Sequence, residues 1–209
     1  MSQSHLYAYG VVKDEGDLDL EVDGVGGADR AYLVSHGPLA AVVTDIDTMD
    51  PERSDENVRA HDEVLQAVLV EGERTVVPMQ FGMTFKHARA LKSVLRGGRR
   101  AFTKALRETE GTVEVGVKLV VEEDADVDEA VGEEVLERLR GVSIDDADNG
   151  LFSDRLVFNR SFLVERESRE TFDEAVGEID EEYGDEFTVQ YTGPWAPYSF
   201  VDIEIGAKR

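Results

Sequence analysis

The chain has 209 residues and no cysteine, and it sets 46 Asp and Glu against 22 Lys and Arg for a formal charge of −24. Disulfides, thiolate metal sites and a cysteine nucleophile are excluded, and a field of this sign repels nucleic acid phosphates and anionic lipid headgroups, so neither is expected as a partner. With 41% hydrophobic residues the chain can build one medium or two small cores, and its acids are scattered along its length instead of gathered in a tail. That points to a folded protein of a salt-rich cytoplasm, where the Debye length is only ~3 Å at 1 M.

The start of the chain lacks a basic stretch followed by an apolar run, and no apolar run approaches the ~20 residues of a membrane helix, so neither a signal peptide nor a span is expected. His5 to Val12 reads as a strand apolar on both faces, followed by a Gly/Asp-rich loop from Lys13 to Asp29. Ala31–Ser35 and Leu39–Ile46 flank His36-Gly37-Pro38 as a hairpin. Ser54 is a helix N-cap with Asp55 and Glu56 behind it; Val58, His61, Leu65 and Leu69 recur at helical spacing up to Gly72. Thr75–Val77 is a short strand closed by Pro78. A second helical run starts near Lys86 and is broken or kinked at Gly97-Gly98 before Phe102 and Leu106.

Thr112–Val121 alternates Val113, Val115, Val117, Leu119 and Val121 on one face, which predicts a strand. Val127–Leu139 is helical, Asp145–Gly150 a polar loop, and Leu156–Val164 a strand. Phe172, Val176, Ile179 and Tyr183 mark an amphipathic helix, and Phe187–Tyr191 and Phe200–Ile205 are read as closing strands. The pattern predicts an α+β fold of two small domains, a ferredoxin-like variant over 1–110 and a second α+β unit over 111–209.

Catalytic and metal motifs are absent from this pattern. Gly24-Val25-Gly26-Gly27 is followed by Asp29 and a strand, where a phosphate loop would need a helix start, so a flexible loop is the better reading. His5, His36, His61 and His87 lack metal-ligand spacing, and His61, on the apolar face of its helix, reads as a core histidine bonded to a neighbour. The Asp145, Asp146, Asp148 cluster lacks an EF-hand's glycine and distal glutamate. No catalytic residue, metal or cofactor is expected. Two segments stand out: Pro78-Met-Gln-Phe81-Gly82-Met83, either a strand end over the core or the lip of an apolar groove, and Thr192-Gly193-Pro194-Trp195-Ala-Pro197-Tyr198-Ser-Phe200, either a rigid plug or a recognition loop.

Those segments, together with Leu6-Tyr-Ala-Tyr-Gly-Val11 and Arg59-Ala-His61, resemble the gas vesicle protein F/L family, and within it the F branch of haloarchaea. The last segment is similar to the family's Gly-Pro-Trp-Pro-Pro-Tyr-Ser-Phe signature, with Ala196 where proline is common. The resemblance implies two α+β domains and no cofactor. It implies an accessory or minor structural protein of gas vesicle formation, located at the vesicle or in the cytoplasm. Its partners would be the hydrophobic shell protein and other accessory proteins. It marks Arg59, His61, Pro78, Phe81, Gly82, Gly193, Pro194, Trp195, Pro197, Tyr198 and Phe200 as family-motif or partner-binding residues. The competing expectation is a small-molecule-binding regulatory α+β domain.

Overall fold

The computed structural model describes residues 4–122 and 130–203. The chain is a mixed α+β protein with two sheets, divided into two compact units. One unit takes the chain up to Glu110 and takes it up again from Trp195; the other is Gly111–Pro194.

In the first unit β1 (His5–Lys13), β2 (Asp19–Glu21), β3 (Arg30–His36) and β4 (Leu39–Ile46) precede helix α1 (Asp55–Val70). The short strands β5 (Val77–Pro78) and β6 (Thr84–Phe85) follow, then helices α2 (Ala88–Gly97) and α3 (Arg99–Glu108). The sheet runs β2-β3-β4-β1-β5, and β6 also pairs with β1. Strand β1 is buried from Leu6 to Val12 because both its faces are covered. A bulge between Ala8 and Gly10 changes the parity of its side chains, leaving Tyr9 as the extra residue. Leu6, Ala8 and Val11 therefore share one core with Leu91 and Leu95 of α2 and Phe102 and Leu106 of α3. Gly10 is where β5 and α1 press closest: a Cβ there would lie 2.7 Å from the Val77 carbonyl and 3.0 Å from Leu65.

Helix α1 begins where Ser54 Oγ accepts the Asn57 N–H at 3.2 Å. The predicted break falls between α2 and α3, where a Cβ on Gly98 would collide with the Phe102 ring at 2.6 Å. The Gly/Asp-rich segment is more structured than expected. It forms β2 against β3 and a 3-10 turn at Val25–Gly27.

The second unit holds β7 (Thr112–Val121), α4 (Ala130–Arg140), β8 (Asp145–Asp148), β9 (Leu156–Glu165), α5 (Arg169–Tyr183) and β10 (Phe187–Trp195) as far as Pro194. Its sheet order, β10-β7-β9-β8, is that of the split β-α-β sandwich. The alternation read in Thr112–Val121 is borne out: Val113, Val115, Val117, Leu119 and Val121 are all buried. Rings of Phe158, Phe162, Phe172 and Tyr191 follow one another at 6.2, 5.4 and 6.0 Å and join the sheet to α5.

The segment read as a polar loop opens with β8. Its Asp146 carboxylate takes Arg140 Nε at 2.7 Å and is also paired by Arg160, so a strand of aspartates is neutralised from β9 and the end of α4. The expected closing strand Phe200–Ile205 is not formed over its described part. Tyr198–Phe200 is a 3-10 turn, and Val201 and Ile203 pack on the first unit's core without a ladder. Residues 204 and 205 of that expectation, and 127–129 of the helix predicted over Val127–Leu139, lie outside the described residues.

Candidate functional site

Strands β5 and β6 both pair with β1, and the residues between them leave the sheet as a short excursion. Its base is fixed by backbone bonds: Met79 N–H donates to the Tyr9 carbonyl and Ala8 N–H to the Met83 carbonyl, both at 2.8 Å. Two side chains then hold it from within. His61 Nε2 lies 3.0 Å from the Met79 carbonyl, and His61 Nδ1 lies 2.8 Å from Tyr7 Oη. A carbonyl only accepts, so Nε2 carries the proton and Nδ1 receives the Tyr7 hydroxyl. Tyr7 Oη in turn accepts the Gly82 N–H at 3.2 Å. One relay thus runs from Gly82 through Tyr7 and His61 to Met79, clasping the excursion at both ends.

The clasp is uncharged, and it is buried except at its Gly82 end. Tyr7 is fully buried and His61 is 2% exposed. Burial is the main cause that pushes the His61 pKa below its ordinary 6.5, assisted by Arg53 and opposed by Asp62 and the Met79 bond. Burial also pushes the Tyr7 hydroxyl upward, and that of Tyr9 up to about 12. The rings of Tyr7, Tyr9, His61 and Phe81 pack at centroid distances of 5.0 to 6.0 Å. Phe81 is half-buried at the rim, with the Arg53 guanidinium over it at 5.5 Å. Two exposed apolar groups hang from the same frame. Tyr198 donates to Asp62 Oδ1 at 3.1 Å, beside His61 in sequence. Met49 offers its carbonyl to Thr84 Oγ1 at 2.7 Å.

The structure therefore brings together His61, Phe81, Gly82 and Tyr198, with half-buried Pro78 at the entry of the excursion. Arg59 is not among them. It precedes His61 by two positions, about 200° around the helix, and is exposed beside Asp29 and Glu63 in a cleft of about 430 Å³. Gly193 and Pro194 end β10 within the second unit, joined by a cis peptide bond, and a Cβ on Gly193 would sit 2.9 Å from the Glu114 carbonyl. Trp195 and Phe200 are half-buried and Pro197 is buried in the first unit, whose outer turn closes with Tyr198 N–H on the Ala196 carbonyl at 2.8 Å.

Sequence reasoning did not single out as site residues Tyr7 and Met79 of the clasp, or Tyr9, whose ring packs against it. The Tyr-Ala-Tyr-Gly spacing carried the signal, since it puts two rings on one side of β1. The glycine turn finds its use here as well. Val25 N–H donates to Tyr9 Oη at 3.1 Å, Gly27 N–H to the Gly24 carbonyl at 3.1 Å and Gly26 N–H to Asn57 Oδ1 at 3.0 Å. The amides a phosphate would need are spent inside the protein. Among the described residues no group of three His, Asp or Glu is placed to hold a metal, and no helix is long and apolar enough to cross a membrane.

This geometry defines a two-unit α+β scaffold with a rigid, uncharged turn that carries an aromatic ring to the surface. The chain belongs to the gas vesicle synthesis protein GvpL/GvpF family, whose model matches residues 5–133 and 125–202. It is 57% identical to gas vesicle protein F of Haloferax mediterranei, over 98% of this chain and 97% of that one. It is 55% identical to gas vesicle protein F1 of Halobacterium salinarum, over 98% and 96%. Its fold matches the crystal structure of the gas vesicle protein GvpF from Anabaena sp. PCC7120 with a TM-score of 0.84, at 19% identity, over 96% of this chain and 97% of that one. The acidic composition fits the haloarchaeal relatives.

Proposed function

We propose that this chain is a non-enzymatic accessory protein of gas vesicle assembly that docks an apolar segment of the shell protein on the surface around Phe81. Membership of the family supports the vesicle role. The carrying observation for the dock is the clasped Met79–Gly82 excursion. A half-buried Phe81 with exposed Met49 and Tyr198 tied to the same frame is a ready apolar contact. Because the frame is fixed beforehand, binding loses little conformational freedom there. The strongly negative remainder would keep an apolar client in solution. Catalysis finds no support at this place. Both nitrogens of His61 are committed to the fold, so the ring is not free to act as a general base.

The test is binding of purified shell protein at high salt to the wild type and to the Phe81→Ala, Tyr198→Ser and Trp195→Ala variants, with folding checked by circular dichroism. Phe81→Ala and Tyr198→Ser are expected to weaken binding about tenfold, in the range of a truncated interface anchor. Folded variants that bind as the wild type does would remove this surface from the shell-protein reading.

A further inference from the structure

The net charge conceals a reversal of sign. Between Glu73 and Glu108 the chain contains no acid at all, and Lys86, Arg89, Lys92, Arg96, Arg99, Arg100, Lys104 and Arg107 fall within that stretch. All eight are exposed. They lie on or just before α2 and α3, whose inner sides bury Leu91, Leu95, Phe102, Ala105 and Leu106 in the first unit's core. Steps of three and four residues, as in Arg89, Lys92 and Arg96 or Arg100, Lys104 and Arg107, align the charges along the outer side of each helix. Lys104 meets Glu108 at 3.6 Å on its own helix. Like charges at these spacings repel by a few tenths of a kcal/mol per pair, so the fold gains nothing from the arrangement.

The same chain contains the complement. From Glu170 to Glu186 there is no Lys or Arg, and nine acids occur: Glu170, Asp173, Glu174, Glu178, Asp180, Glu181, Glu182, Asp185 and Glu186. Every one is exposed. Asp173 is engaged by Tyr191 and Glu182 by Arg138. Glu170, Glu174, Glu178 and Glu181 form a stripe along α5 roughly 16 Å long at 1.5 Å per residue. That is about the length of either basic helix.

We infer that copies of this chain associate head to tail, the basic outer side of α2 and α3 of one copy on the acidic stripe of α5 of the next. Five of the eight cations are arginines, which grip carboxylates in two-pronged contacts. Salt weakens such close contacts, but it screens the longer-range repulsion between two acidic bodies more completely. The interface joins unlike surfaces. A copy bound through one of its faces therefore still has the other face for a further copy.

The test is sedimentation velocity on the full chain in the salt that keeps it folded, from roughly 1 to 100 μM, where weak specific interfaces are populated. Wild-type mass is expected to rise with concentration. The variants Arg89→Gln/Arg96→Gln/Arg100→Gln and Glu174→Gln/Glu178→Gln/Glu181→Gln should each require about tenfold higher concentration to associate. An equimolar mixture of the two should stop at a one-to-one pair, because each supplies the face the other lacks. A wild type that stays monomeric throughout, variants that associate unchanged, or a mixture that forms no pair would each overturn the inference. So would wild type that binds a DNA duplex through the basic face without associating with itself.

Discussion

Two polar networks hold the two units, and they are built on opposite principles. In the first unit Gly82, Tyr7, His61 and Met79 are linked by neutral hydrogen bonds that are buried except at Gly82. In the second, Asp146 sits between Arg140 and Arg160, with Asp148 also on Arg160, in a node that water partly reaches. The neutral clasp positions a surface turn and is indifferent to salt. The ionic node permits an otherwise improbable strand of aspartates and is open to screening. A chain of charge −24 thus fixes its candidate binding turn with groups that carry no charge.

His61→Ala is expected to cost the first unit most. This variant removes a buried ring and strands Tyr7 Oη and the Met79 carbonyl together, at a cost of about 3 kcal/mol or more. Trp195, the only tryptophan, belongs to the first unit, so its emission during denaturant unfolding should record the loss. Tyr7→Phe keeps the ring and deletes only the hydroxyl, leaving Gly82 N–H and His61 Nδ1 without their partner. It should cost about 1–2 kcal/mol, with the midpoint shift equal at low and high KCl. A Tyr7→Phe protein as stable as wild type would mean that the excursion is held by its backbone bonds alone.

Acid separates the two networks by pH. His61 has a folded pKa below 6.5, so near and below that value the unfolded chain binds the proton more readily. The contribution of the clasp is complete above pH 6.5 and falls as pH drops toward the folded pKa, by at most about 1.4 kcal/mol per pH unit. Asp146 behaves in a lower window. Its hydrogen bond with Arg140, and secondly that with Arg160, holds its pKa below the usual 3.8. Its contribution is present above that value and is lost only as pH falls beneath it. Stability toward denaturant, monitored at Trp195, should fall between pH 7 and 5 in wild type and change less in His61→Gln.

These networks also mark where the sequence was legible. The alternation of Val113 to Val121 and the double glycine at 97 and 98 announced a strand and a helix break, because each follows from a local rule. His61 could be read as a core histidine with a hydrogen-bond partner, yet Tyr7 lies 54 residues away and no spacing names it. Strand β8 could not be read at all: aspartates disfavour strands, and the arginines that neutralise them come from other elements. The closing segment failed for a related reason. Val201 and Ile203 alternate like a strand but pack on the core without a neighbouring strand to pair with. The acid-free stretch before Glu108 is plain in the residues themselves but masked in a net charge of −24.

The ionic node should give way more gently than the clasp. Asp146→Asn keeps the shape and one acceptor oxygen while leaving Arg140 and Arg160 facing a neutral group. The node is partly open, with 10% exposure at the Asp146 side chain, 21% at Arg160 and 47% at Arg140, so the loss should stay near 1 kcal/mol. Its signature is its dependence on salt. The difference from wild type, followed by circular dichroism because the only tryptophan is assigned to the other unit, should shrink between about 0.5 and 3 M KCl as the Debye length shortens around the exposed guanidinium. Tyr7→Phe under the same two conditions should show no such shrinkage. Equal salt responses for both variants would show that the clasp is not insulated from solvent, and the argument that the turn is preorganised by uncharged groups would fail with it.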